Sequence, residues 1–136
     1  MDDFAVPNIQ PTGVPKALKG TTIPFPWGEI GPVERLLEQY RGQVAAIILE
    51  PMRYDMPPPG YLEKLREIAT REEVVLIFDE VITGFRLGPG GAQEYFGVIP
   101  DMTCLGKIVG GGLPVGAYGG KKEIMQEVSP LSLIHI

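Results

Sequence analysis

Two short apolar runs separated by one amphipathic helix restrict the fold of this chain more than any other feature of its sequence. The first run extends from Gln43 to Glu50, and the second extends from Val74 to Asp79. Between them, the segment from Tyr61 to Glu73 has one apolar face at helical spacing, formed by Leu62, Leu65, Ile68 and Ala69. A strand, a helix and a strand in this order are typical of a parallel sheet covered by helices. The sequence therefore predicts an α/β fold with two buried strands.

Weaker patterns predict the remaining elements. They are helices at 32–41, 93–97 and Lys121 to Val128, and strands at Met102 to Leu105 and Val115 to Tyr118. Residues 1–32 contain six prolines and no periodicity, which predicts an irregular lead-in. Residues 131–136 are apolar and unpatterned, so we expect the native sequence to stop near Leu131 and the last six residues to be a foreign tail. This division leaves 33–130 as the structured domain.

A carboxylate and an amine occupy the positions where an α/β sheet binds ligands. Asp79 ends the second apolar run, and Lys107 follows 28 residues later at the start of the glycine-rich stretch 107–112. Ligands of such sheets bind at the carboxyl ends of the strands. A lysine with a lowered pKa forms a Schiff base with an aldehyde, and an aspartate keeps a pyridine nitrogen protonated. The pair therefore suggests pyridoxal 5'-phosphate held at both ends of its ring.

Other interpretations of these residues remain open at this point. A single aspartate at a strand end is more often a cap, and a single lysine beside glycines is more often a solvated loop residue. The sequence VLIFDE at 75–80 also matches the Walker B pattern of ATPases, with Asp79 and Glu80 as its acidic pair. However, a P-loop is absent around Lys107, because Asp101 stands at the position of the first glycine and Ile108 at that of Ser or Thr.

Two long motifs resemble one family of enzymes. They are VLIFDEVITGFR at 75–86, followed by GGAQ at 90–93, and GVIPDMTCLGKIVGGGLPVGAYGG at 97–120. They resemble the class III pyridoxal-phosphate-dependent aminotransferases, and within that class the glutamate-1-semialdehyde 2,1-aminomutases. The resemblance is dense over about 44–130. It implies part of the large domain of a type I, aspartate-aminotransferase-like transferase, with a mostly parallel sheet covered by helices.

The resemblance also implies residue roles. Lys107 would form the Schiff base and move protons, Asp79 would bind the pyridine nitrogen, and Val81 would pack against the ring face. It implies a small amino-acid-like substrate and a homodimer with active sites at the subunit interface. The expected reaction moves an amino group between neighbouring carbons of one substrate. A transaminase acting on another ω- or β-amino acid is the alternative.

The chain departs from the aminomutase pattern after Glu50-Pro51. The family has a Gly-Asn-Met-Gly segment there, whereas this chain has Met52-Arg-Tyr-Asp-Met-Pro57, in which Asp55-Met56 are candidates to replace Asn-Met. The resemblance places the phosphate-binding turn and the aromatic residue that stacks on the ring before residue 1. It places the threonine with which the partner subunit contacts the phosphate beyond Leu131. We therefore expect this chain to be a fragment that is inactive alone.

Composition excludes several classes of partner. The net charge is −5 and the pI is about 4.9, which argues against nucleic acid. No apolar run approaches the length of a membrane span, and the acidic start is unlike a signal peptide. The single cysteine, Cys104, excludes an internal disulfide and cysteine-based metal sites. We expect a cytoplasmic enzyme without a metal.

Overall fold

A computed structural model describes residues 13–128 of the chain. Strands and helices alternate along most of this range. In chain order they are helix α1 (Ile30–Gln39), strand β1 (Ala46–Leu49), helix α2 (Tyr61–Arg71), strand β2 (Val75–Asp79), helix α3 (Gly91–Phe96), strand β3 (Met102–Leu105), strand β4 (Ala117–Gly120) and helix α4 (Lys122–Met125). Short 3-10 turns lie at Lys16–Leu18 and Lys107–Gly110. The predicted foreign tail, 131–136, lies outside the described residues.

The four strands form one sheet in the order β1-β2-β3-β4. Strands β1, β2 and β3 are parallel to one another, and β4 is antiparallel to β3. The connections between the parallel strands contain helices, as parallel pairing requires. The predicted α/β fold with a mostly parallel sheet is therefore confirmed.

Helix α2 forms because its apolar residues recur on one face, and that face packs against the sheet. Leu65 and Ile68 are completely buried, as are Leu76 and Phe78 of β2. Each such side chain contributes about 2 kcal/mol through the removal of apolar surface from water. This cluster fixes β2, and therefore fixes the edge of the sheet at which Asp79 emerges.

The prediction of two buried strands holds for only one face of β1. Ile47 and Leu49 are buried in the core, but Ile48 between them is 54% exposed. The helices cover one face of the sheet, and no element among residues 13–128 covers Ile48 on the other. The sequence could not show this difference, because both faces of β1 carry apolar side chains.

Several predicted boundaries were wrong by a few residues. Helix α1 begins at Ile30 rather than at 32, because a proline at position 32 lies in the first turn, where its missing N–H has no helical partner. Strand β4 occupies Ala117–Gly120 rather than 115–118. A Cβ atom at Gly120 would clash with the Asp101 carbonyl, so a glycine at this position allows β4 to pair with β3. Helix α3 begins at Gly91, two residues early, and α4 ends at Met125, three residues early.

No helix in the range 13–128 is long and apolar enough to cross a membrane.

A buried carboxylate joins three elements at the amino-terminal side of β3. Asp101 is 6% exposed. Its Oδ2 accepts hydrogen bonds from Arg66 Nη1 of α2 at 2.8 Å and from the Leu76 N–H of β2 at 2.7 Å, and its Oδ1 lies 2.7 Å from Lys121 Nζ. Burial acts to raise the pKa of Asp101, but the bonds from Lys121, Leu76 and Arg66 outweigh it and lower that pKa below its ordinary value. Asp101 therefore fixes α2, β2 and the start of α4 relative to one another.

Substitution of this carboxylate should destabilise the chain strongly. We expect Asp101→Asn to lower the free energy of unfolding by about 3 kcal/mol, because two cations lose their buried partner. Urea unfolding of the 136-residue chain at neutral pH measures this change. The control is Glu67→Gln, which removes the exposed pair with Lys64 and should cost less than about 1 kcal/mol.

The pH dependence of unfolding, compared between the wild type and Asp101→Asn, gives an independent check. Because the native-state pKa of Asp101 is lowered, its contribution is complete above the ordinary aspartate pKa and is lost as the pH falls through the lowered value. The stability difference between the wild type and Asp101→Asn should therefore shrink in acid. A difference that stays constant into strong acid would contradict this assignment.

Candidate active site

The sheet brings the two predicted site residues to the same edge. Asp79 is the last residue of β2 and lies opposite Cys104 of the neighbouring parallel strand β3. Lys107 follows β3 after one connecting glycine and begins the 3-10 turn Lys107–Gly110. Carboxyl ends of adjacent parallel strands meet at one edge of a sheet, which is where α/β proteins bind ligands. The predicted placement of both residues at that edge agrees with the structure.

The Asp79 carboxylate is half-buried and has one oxygen already engaged. Its Oδ1 accepts a hydrogen bond from the Val81 N–H at 3.0 Å. Its Oδ2 accepts no hydrogen bond from any residue between 13 and 128. A half-buried carboxylate with one oxygen held in place and the other open suits a cationic N–H donor from outside the chain.

Lys107 is exposed and has an uncommon backbone conformation. Its φ is +49°, in the left-handed region that non-glycine residues rarely adopt. Its side chain makes no hydrogen bond or ion pair within the part of the chain that the structure describes. Such a conformation costs about 1–2 kcal/mol, and residues that keep it are concentrated at functional sites. The amine is therefore available to a ligand, and the turn that presents it is strained.

Val81 connects the two sides of the site through a close contact. A Cβ atom at Gly106 would lie 3.2 Å from Val81 Cγ1 and 3.3 Å from Cγ2, so the glycine allows the valine to approach closely. Gly106 directly precedes Lys107. The valine predicted to face a ring thus connects the turn that follows β2 (residues 80–86, the Asp79 turn) with the residue before the 3-10 turn Lys107–Gly110.

Cys104 lies beside the site but is poorly suited to act as a nucleophile. Burial, and then the charge of Asp79, raise the pKa of the Cys104 thiol above its ordinary value. The thiolate is the reactive form, so a raised pKa reduces reactivity at neutral pH. The half-buried Cys104 is therefore more suited to packing beside the site than to chemistry in it.

Glu80 has an environment that the sequence did not predict. It is 1% exposed, and two donors approach each of its carboxylate oxygens. Oε2 accepts from Thr83 Oγ1 at 3.0 Å and from the Ala92 N–H at 2.5 Å, and Oε1 accepts from the Gln93 N–H at 3.3 Å and from Gln93 Nε2 at 3.0 Å. A carboxylate occupied in this way has no free oxygen for a nucleotide-bound metal or water. The Walker B interpretation is therefore not supported.

The sequence contains one signal that the start of α3 needs an acceptor such as Glu80. The stretch Gly90-Gly-Ala-Gln93 gives α3 a start without a capping side chain, because both residues at the helix start are glycines. Its first N–H groups therefore need an acceptor from elsewhere in the chain. No group of acidic, histidine or cysteine side chains that could hold a metal ion was found among residues 13–128.

Comparisons with known proteins agree with this geometry. The family model described as "Aminotransferase class-III" matches residues 28–135. The glutamate-1-semialdehyde 2,1-aminomutase of Syntrophobacter fumaroxidans is 50% identical over 136 residues, which covers 97% of this chain and 31% of the relative. This chain belongs to the class III aminotransferase family. It spans less than a third of the length of that curated relative.

Two solved structures share the fold. An omega-transaminase from Sphaerobacter thermophilus is 43% identical with a TM-score of 0.79, over 87% of this chain and 28% of that one. A glutamate-1-semialdehyde-aminomutase from Pseudomonas aeruginosa PAO1, solved in complex with PMP, is 28% identical with a TM-score of 0.74, over 88% of this chain and 26% of that one. The family therefore includes structural relatives of both kinds, aminomutase and transaminase.

Two glycines at the ends of α3 give a matched test of the packing around Glu80. Gly91 has φ +64° and Gly97 has φ +67°, so alanine at either position should cost about 1 kcal/mol in backbone strain. A Cβ atom at Gly91 would also clash with the Glu80 carboxylate, whereas nothing lies within 4 Å of one at Gly97. We expect Gly91→Ala to cost about 2 kcal/mol more than Gly97→Ala in urea unfolding. Equal costs would show that the Glu80 contact is not tight.

Proposed function

We propose that this chain supplies two poles of a pyridoxal 5'-phosphate site. Lys107 would hold the cofactor through a Schiff base to its aldehyde, formed with loss of water, Asp79 Oδ2 would accept a hydrogen bond from the ring nitrogen, and Val81 would pack against the ring face. The observation that carries the proposal is the open, half-buried Oδ2 of Asp79 at the edge from which the unpaired Lys107 amine emerges. The family match supports it, as does the PMP complex of the Pseudomonas relative.

The residues divide the chemical work between them. When bound, the cofactor acts as an electron sink for the substrate carbon that loses a proton. The negative charge of Asp79 keeps the ring nitrogen protonated, which strengthens that sink. The Lys107 amine would hold the aldehyde end of the cofactor and, when free, would serve as a base that takes up and returns a proton at Nζ. The glycines at 110–112 leave the approach to the amine free of bulky side chains.

The reaction we propose is amino-group transfer of the glutamate-1-semialdehyde 2,1-aminomutase type, on a small amino-acid-like substrate. The support is the 50% identity with the aminomutase from Syntrophobacter across nearly the whole chain. The enzyme would act as a homodimer in the cytoplasm.

A transaminase of another ω- or β-amino acid is the second candidate, and one segment favours it. Residues 52–57 follow β1 at the carboxyl edge of the sheet, where Arg53 and Asp55 are exposed. The aminomutases have a glycine-containing segment there. Charged side chains at this edge would contact a different substrate, and the omega-transaminase from Sphaerobacter is 43% identical.

The lysine assignment can be tested in a chimera. The aligned residues of this chain replace their counterparts in the aminomutase from Syntrophobacter, which supplies the rest of the enzyme. We expect a visible absorbance band from bound cofactor, and borohydride reduction should attach the cofactor permanently to Lys107, as peptide mass spectrometry would show. Lys107→Ala should abolish the attachment and lower kcat at least ~1,000-fold.

The control is Lys122→Ala, which removes another exposed lysine from the start of α4 and should leave the band and kcat unchanged. Attachment at a different lysine would refute the assignment. Loss of aminomutase activity together with gain of transamination to an added keto acid would favour the second candidate.

The chain alone should behave differently from the chimera. We expect the 136 residues by themselves to be inactive and to bind pyridoxal 5'-phosphate at least ~100-fold more weakly than the chimera, because charge-assisted phosphate contacts come from outside this segment. Equilibrium dialysis against labelled cofactor measures both affinities. Equal, stoichiometric binding by the chain alone would contradict this expectation.

A further inference from the structure

Glu80 lies between Asp79 and Val81 in sequence, yet its side chain points to the opposite side of the sheet. The negative charge of Asp79 contributes to the raised pKa of Cys104. The Glu80 carboxylate instead accepts a hydrogen bond from Gln93 Nε2, which also donates to Thr103 Oγ1. Thr103 and Cys104 are neighbours in β3, so their side chains point to opposite faces. Glu80 therefore belongs to the helix-covered face, behind the candidate site.

Gln93 forms a bridge from Glu80 to the strand that leads to Lys107. Its Nε2 donates to Glu80 Oε1 at 3.0 Å and to Thr103 Oγ1 at 3.2 Å. Both hydrogens of one amide are thus directed at two elements, the turn after β2 and strand β3. Thr103 lies in β3, and Lys107 follows the end of that strand after one glycine. This bridge therefore connects the backbone that carries Asp79 with the backbone that carries Lys107.

Two backbone contacts hold the same turn from other directions. The Glu80 N–H donates to the Cys104 carbonyl at 2.9 Å, and the Gly84 N–H donates to the Glu80 carbonyl at 2.8 Å. A Cβ atom at Gly84 would clash closely with Leu105 Cδ2, at 2.6 Å, so the turn packs directly against the end of β3. The turn is held on one face by the Glu80 network and on the other by the contact of Val81 with Gly106.

Glu80 also caps the amino terminus of α3, which connects that helix to the Asp79 turn. A side chain at the N-cap position would satisfy the first N–H groups locally, but Gly90 occupies that position and has none. Glu80 supplies the acceptor from twelve residues away, to the Ala92 N–H. Burial of a carboxylate is costly, so using one here makes the start of α3 and the Asp79 turn depend on each other.

We propose that Glu80, bridged by Gln93 to Thr103, is a positioning residue that holds Asp79 and Val81 in a fixed relation to Lys107. The inference rests on the proposed cofactor site, because it assigns the network a role in that site. Glu80 itself would touch neither cofactor nor substrate.

Cys104 provides a readout of the Asp79 position that needs no cofactor. It is the single cysteine of the chain, and the Asp79 charge contributes to its raised pKa. In the chimera, with the cysteines from the Syntrophobacter part replaced by serine, the rate of iodoacetamide modification against pH gives the pKa of Cys104. Asp79→Asn calibrates the readout, because loss of the negative charge should lower that pKa.

The deciding variant is Thr103→Val, which removes the hydroxyl oxygen that accepts from Gln93 Nε2. The four hydrogen bonds that Glu80 accepts, from Thr83, Ala92 and Gln93, do not involve Thr103 and are retained. Its control is Thr103→Ser, which keeps the hydroxyl. Glu80→Gln tests the carboxylate directly. Asp101→Asn tests whether loss of another buried carboxylate, remote from Asp79, has the same effect.

We expect Thr103→Val and Glu80→Gln to lower the pKa of Cys104, in the same direction as Asp79→Asn. Both should also weaken binding of pyridoxal 5'-phosphate about tenfold, as loss of one well-placed hydrogen bond to a charged group does. Thr103→Ser and Asp101→Asn should change neither quantity. If Glu80→Gln does not fold, Thr103→Val still decides.

The proposal is overturned if Thr103→Val leaves both quantities at wild-type values, or if Asp101→Asn changes them as much. The two proposals can also fail separately. A chimera that never attaches cofactor at Lys107, but whose Cys104 pKa follows Thr103→Val, would refute the cofactor site and keep the positioning role. If the cofactor attaches at Lys107 but Thr103→Val changes neither the pKa of Cys104 nor cofactor binding, the cofactor site is kept and the positioning role is refuted.

Discussion

The parallel pairing of β2 with β3 is the constraint on which the candidate site depends. It sets Asp79 opposite Cys104 and directs the chain after each strand to the same edge of the sheet. It also fixes which side chains face the site, because neighbouring residues of a strand point to opposite faces. Asp79 therefore faces Cys104, whereas Glu80 faces the helices. The core of α2 against Leu76 and Phe78 maintains this pairing.

Most of this framework could be predicted from the sequence. Strand β3 lies at Met102–Leu105, as the sequence predicted, and β2 differs from its prediction by one residue. The reason is physical: short apolar runs bounded by prolines, glycines and charged residues leave few alternatives for a strand. Asp79 was recognisable because it ends such a run, and Lys107 because it begins a glycine-rich stretch. The motifs around them then restricted the family.

Other features depend on tertiary contacts that no local pattern encodes. Strand β4 has glycine at position 120 where the Asp101 carbonyl and Met102 approach it closely, and a strand that ends in two glycines has no apolar periodicity. The burial of Glu80 depends on donors twelve and thirteen residues away, so the sequence left it open as a Walker B residue. The strained φ of Lys107 follows from the turn between β3 and β4, and lysine itself does not favour it.

Buried carboxylates join neighbouring elements near both ends of β3. Their hydrogen bonds are directional, which explains why apolar residues would not replace them equally well. Asp101 connects α2 and β2 at the amino-terminal side, and Glu80 connects α3 and the Asp79 turn at the other. Apolar contacts could stabilise these junctions as much or more. However, they are non-directional, and a slip of one residue would turn Asp79 towards the helices. A carboxylate with donors on both oxygens accepts one arrangement only. The Glu80 network at the carboxyl end of β2 therefore favours the arrangement in which Asp79 lies on the side where Lys107 can share a ligand with it.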